Sequence, residues 1–98
     1  MANHRTERLL EDSIRSILVA EEDLRVLSEQ LSTWTEMRDE SKIRALVSET
    51  PQASVEHAEL ERQVATIARA IAARSEDLTA LRRNQEQILE RWEPEVTL

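Results

Sequence analysis

His57 and Glu61 sit four residues apart, with Glu56 and Glu59 alongside, a spacing that on a helix presents two potential metal ligands on one face. The chemistry this would serve is that of a helical carboxylate metal site. Such a site takes Glu-x-x-His pairs from two helices plus further inward glutamates, and neither His4 nor His57 has a glutamate three residues before it. His57 and Glu61 are therefore weak metal candidates set against a solvated turn of helix. No metal, cofactor or catalytic group is expected.

Arg74 and Gln85 are the other residues whose type and position invite chemistry, because both fall where an apolar stripe would place a buried side chain. Helical chorismate mutases are similar in using arginine and glutamine inside a bundle. This chain lacks the several inward basic residues that clamp a dicarboxylate substrate. Buried polar positions of coiled coils also select register and oligomer state, and that is the role expected of Arg74 and Gln85. Glu21, Glu22 and Asp23 form the densest acidic cluster. A cation patch competes there with a charged face neutralised by Arg25 and Arg74.

The elements that position these residues follow from apolar spacing. In the first half Leu10, Ile14, Ile17, Ala20, Leu24, Leu27, Leu31 and Trp34 recur every three or four residues, as one face of a helix does. Two consecutive steps of three around Ile17 interrupt a strict heptad, which predicts local overwinding. In the second half Leu60, Val64, Ile67, Ile71, Arg74, Leu78, Leu81, Gln85, Ile88 and Trp92 alternate steps of four and three throughout, a heptad seam with two polar members. Asn3 or Thr6 is the expected cap of the first helix. Thr50 before Pro51 reads as the cap of the second, with proline where a missing N–H costs nothing, and Ser54 is a later alternative.

Folded about its middle, the chain aligns the two stripes so that facing residue numbers sum to 98. Leu10 meets Ile88, Ile17 meets Leu81, Leu24 meets Arg74, Leu27 meets Ile71, Leu31 meets Ile67 and Trp34 meets Val64, while Ile14 falls within one residue of Gln85. The mirror point coincides with Thr50–Pro51, which predicts an αα-hairpin. Beyond Trp34, Ile43, Leu46 and Val47 lie about half a turn off the stripe, so a kink or break is expected over Arg38 to Lys42, with a short helix folding over the tip. The expected boundaries within a single domain of residues 1–98 are a helix over 5–38, a short or kinked helix over 41–48, a turn over 48–50, a helix over 51–93 and a frayed tail over 94–98.

Composition agrees with an all-α reading: there is no Gly, and Ala, Leu, Glu, Arg and Gln dominate. Trp34 and Trp92 are the only aromatics and read as bulky ends of the seam. The net charge of −7 divides into −4 and −3 between the halves, with arginines dispersed among carboxylates, so direct nucleic-acid binding is not expected. With no Cys, thiolate chemistry is absent. The longest apolar run, Ile17–Ala20, is far short of a membrane span, so no membrane partner and a cytoplasmic location are expected.

Leu9, Leu18, Val19 and Val26 flank the first stripe, and Ala65, Ala68, Ala72 and Ala73 flank the second, which makes the apolar faces wider than one helix pair covers. The fold expected is thus a long antiparallel, coiled-coil-like helical hairpin that dimerises into a four-helix bundle through Leu18, Val19, Val26, Ala65, Ala68 and Ala72. In length, acidity and two-helix layout the chain is similar to small secreted hairpins of the WXG100 type, which also dimerise into four-helix bundles. It departs from them in having Trp34-Thr35-Glu36 in place of Trp-x-Gly, a turn some fifteen residues later, and no Tyr for their tail signal. Asp39, Glu40 and Glu49 near the tip are similar to the acidic coiled-coil tip that some transcription factors push into RNA polymerase. The function expected is a non-enzymatic interaction, adaptor or scaffold module, binding itself and another protein. The alternatives are a small helical-bundle enzyme or metal carrier with a site between protomers, and a secreted hairpin of WXG100-like layout.

Overall fold

In a computed structural model, residues 2–92 are described, with side chains from His4 onward; the expected tail over 94–98 lies outside the described residues. Two helices, α1 (Ala2–Ser48) and α2 (Pro51–Arg91), form a hairpin. Among the described residues no strand occurs.

The link is two residues long because the chemistry of both helix ends is concentrated there. At the end of α1 the Glu49 N–H donates to the Ala45 carbonyl at 3.2 Å, and Glu49 adopts a left-handed φ of 51°. That conformation suits glycine, and the chain has none. Thr50 then caps α2: its Oγ1 accepts from the Ala53 N–H at 3.2 Å, and Pro51 occupies the first helical position. Ser54 lies one turn inside α2, and Thr6 lies inside α1; neither is the cap considered for it. Replacing Glu49 by Gly is expected to remove the left-handed penalty and raise stability by about 1 kcal/mol, read as a higher denaturant midpoint at unchanged slope.

The helices pack in two compact units, Met1–Asp23 with Arg74–Leu98, and Leu24–Ala73. In the first unit the seam on α1 runs Thr6, Leu10, Ser13, Ile17 and Ala20, and on α2 Leu78, Leu81, Gln85, Ile88 and Trp92. Steps of four and three alternate without interruption. Ile14, expected in the seam, is exposed, and Ser13 is buried in its place. The heptad register dictates this: a helix that keeps its seam toward a partner steps four then three, and after Leu10 that step lands on Ser13 whatever its polarity. Ile17, Ala20, Leu78 and Ile88 form the buried apolar part.

In the second unit the seam runs Leu27, Leu31, Trp34, Arg38, Ser41 and Ala45 on α1, against Ala53, His57, Leu60, Val64, Ile67 and Ile71 on α2. Each of these twelve positions has a counterpart whose number completes 98, and the Ser41–His57 hydrogen bond fixes that register directly. The break expected over Arg38–Lys42 does not occur. α1 continues unbroken to Ser48, since no glycine or proline interrupts it and Ser41, rather than an apolar residue, carries the seam forward. Ile43, Leu46 and Val47 consequently do not fold over the tip. They face away from the seam, 63%, 70% and 80% exposed.

Candidate functional site

The most structured polar group in the second unit is a chain of three side chains. Ser41 Oγ donates to the Arg38 carbonyl at 2.8 Å and lies 2.9 Å from His57 Nδ1, while His57 Nε2 lies 3.1 Å from Glu61 Oε1. Serine, histidine and carboxylate in a row are the components of nucleophilic catalysis. Here they lie between the two helices of the second unit. A nucleophilic serine gives its proton to the imidazole; Ser41 Oγ reaches both the Arg38 carbonyl and His57 Nδ1, and the direction of the second contact follows the imidazole tautomer. Ser41 is only 1% exposed. His57 and Glu61 touch each other, and among the described residues no group of three or more His, Asp or Glu is arranged to hold a metal ion. The chain is thus a polar layer of the seam. Its donors and acceptors match only when Ser41 and His57 are opposite one another, which is how a buried polar pair selects a register.

Arg74 is the corresponding group of the first unit. Its Nη2 donates to Asp23 Oδ2 at 2.5 Å across the hairpin, and its Nη1 donates to Asp77 Oδ2 at 3.3 Å along α2. The hydrogen bond to Asp23, then that to Asp77, holds the guanidinium pKa above its ordinary value. The sign of the linkage follows: a raised pKa favours the fold below the unfolded value, and this contribution fades only in strongly alkaline solution. Arg74 therefore carries its charge across the working range. Glu21 is met by Arg82 at 3.8 Å across the hairpin, and Arg25 pairs with Glu29 along α1 at 2.7 Å. The acidic cluster is accordingly a charged face with cross-helix partners. Gln85 is half-buried at the layer it shares in register with Ser13, whose Oγ is buried without a hydrogen-bond partner.

The sequence picked out Arg74, Asp23, His57 and Glu61 but missed Ser41. Extending the mirror register past Trp34 pairs Ser41 with His57, so the signal was present. Asp23 was legible as a member of the acidic cluster that Arg74 neutralises across the hairpin.

The residues expected at an oligomer interface, Leu18, Val19, Val26, Ala65, Ala68 and Ala72, are all exposed. At 100° per residue they divide between flanks of the seam. Leu18 lies on the side of α1 that carries Glu21, and Val19 and Val26 on the side that carries Asp23. Ala68 takes the heptad position of Arg82, the partner of Glu21. Two open grooves occur near the tip. One is lined by Ile43, Arg44, Val47, Ser48, Thr50, Gln52, Ala53 and Glu56, the other by Arg44, Val55, Glu56, Glu59 and Leu60.

Fold and side-chain layers together define a helical hairpin with polar register layers and uncovered apolar flanks. No protein-family model, no curated protein and no solved structure matches the chain. Among the described residues no helix is long and apolar enough to cross a membrane.

Proposed function

We propose that the chain is a non-enzymatic interaction module that works as a homo-oligomeric helical hairpin, in an adaptor or scaffold role. The observation that carries this reading is the imbalance between buried and uncovered apolar groups. Ile17, Ala20, Ile67, Leu78 and Ile88 are buried, whereas Leu18, Val19, Ile43, Leu46, Val47 and Val55 are each more than half exposed. The accessible surface is 7696 Å². A folded globular monomer of 11.3 kDa exposes roughly 5,700 Å². The excess, about 2,000 Å², is polar and apolar together, and a stable interface takes up roughly 800 Å² per partner. Self-association is the economical way to cover it, since every copy carries the same surface.

Light scattering on a size-exclusion column, over a range of concentrations, tests this. The expected mass is that of a dimer or higher oligomer, dissociating on dilution. A monomer at every concentration sinks the self-associating reading and leaves the apolar flanks for a different protein.

A further inference from the structure

The tip of the hairpin carries an apolar surface that its own fold leaves uncovered. Ile43, Leu46 and Val47 recur at helical spacing on the side of α1 opposite the seam, so α2 does not reach them, and Val55 stands 65% exposed on the first turns of α2. Elsewhere the outward side of α1 is mostly charged, with Arg8, Glu11, Arg15, Glu22, Glu29 and Glu36. Leu18, Val19 and Val26 are also exposed on α1, farther from the tip.

Between the acidic residues Glu40 and Glu49, the end of α1 is basic, and the start of α2 is acidic. Residues 41–48, the end of α1, hold Lys42 and Arg44 and no acidic residue; residues 50–61, the start of α2, hold Glu56, Glu59 and Glu61 and no Lys or Arg. Glu59 pairs with Arg62 and Glu61 with His57. Lys42, Arg44 and Glu56 remain, and of these Arg44 and Glu56 line the tip groove. Among the described residues neither of these two forms an ion pair. A surface with an apolar centre, a cation on one rim and an anion on the other is complementary to itself. A two-fold axis across it sets the end of α1 against the start of α2 in a second copy, Arg44 against that copy's Glu56, twice.

From this we infer that the hairpin tip is a two-fold self-association surface, occupied by the tip of a second copy. Ile43 and Val47 supply the apolar contact, and reciprocal Arg44–Glu56 pairs supply its orientation. The inference rests on the reading that the chain self-associates and adds where and how.

Mixing two variants of the 98-residue chain tests the arrangement. In Arg44→Glu both symmetric pairs become carboxylate against carboxylate, and in Glu56→Arg both become guanidinium against guanidinium. Each variant alone is expected to weaken self-association at least tenfold, read by light scattering. Mixed in equal amounts they form a heterodimer in which both pairs are opposite in charge, so association returns. Val47→Ser, at a side chain the fold does not bury, is expected to weaken association in both partners without altering helicity. If wild type associates and neither charge variant changes it, self-association proceeds on the flanks and the tip inference is overturned while the broader reading stands. If each variant is weakened but the mixture is not restored, the reciprocal pairing is overturned. A wild type that is monomeric throughout overturns both.

Discussion

Truncating Ile67 to alanine is expected to cost about 2 to 5 kcal/mol, while truncating Val47 to alanine costs less than about 0.5 kcal/mol. The two substitutions remove similar amounts of hydrocarbon. Their difference comes from place: Ile67 is buried in the seam of the second unit, and Val47 is 80% exposed. Removing Ile67 atoms leaves a hole between Leu31 and the neighbouring layers, because a two-helix seam has no second row of side chains to collapse inward. Against the 5 to 15 kcal/mol typical of a whole domain, one such truncation consumes a large share of the stability. Urea denaturation followed by far-UV circular dichroism, at the lowest workable concentration, reads the contrast. Equal midpoints for the two variants would mean that the seam does not run where Ile67 and its layer place it.

How far the fold was legible depends on what each stripe is made of. The α2 seam was readable residue by residue from Leu60 to Trp92, because Arg74 and Gln85 interrupt it singly and the apolar members on either side hold the phase. On α1 the apolar residues stop marking the seam at two places. At Ser13 an isoleucine next door, Ile14, offers a more hydrophobic but geometrically wrong position. After Trp34 the seam passes through Arg38, Ser41 and Ala45, none of which announces burial, while Ile43, Leu46 and Val47 announce a face that is not the seam. Apolarity and register normally coincide, and where they part the register wins, because a continuous helix cannot rotate its face within one turn. The same logic explains the polar layer. His57 was visible as a lone ligand-type residue, and its role became clear only with the partner that the register assigns to it, Ser41.

Placing proline at Glu40 is expected to destabilise the hairpin by about 3 kcal/mol or more, with loss of helicity across the tip. Glu40 lies within the stretch where a break in α1 was expected from the shift of the apolar stripe. Had the chain broken there, a proline would sit in a loop at little cost and rigidify it. In the unbroken α1, proline at position 40 removes an N–H that donates to the carbonyl four residues back and drives its ring against that turn. The damage would extend beyond the lost hydrogen bond. Ser41 follows immediately, and its hydroxyl reaches both the Arg38 carbonyl and His57, so a kink at position 40 displaces the polar layer that sets the register of the second unit. Glu40→Ala, which keeps the backbone hydrogen bond at an exposed position, serves as the control and is expected to be nearly neutral. A proline variant as stable as that control would show that α1 is not continuous through Arg38–Lys42, and the outward placement of Ile43, Leu46 and Val47 would fall with it.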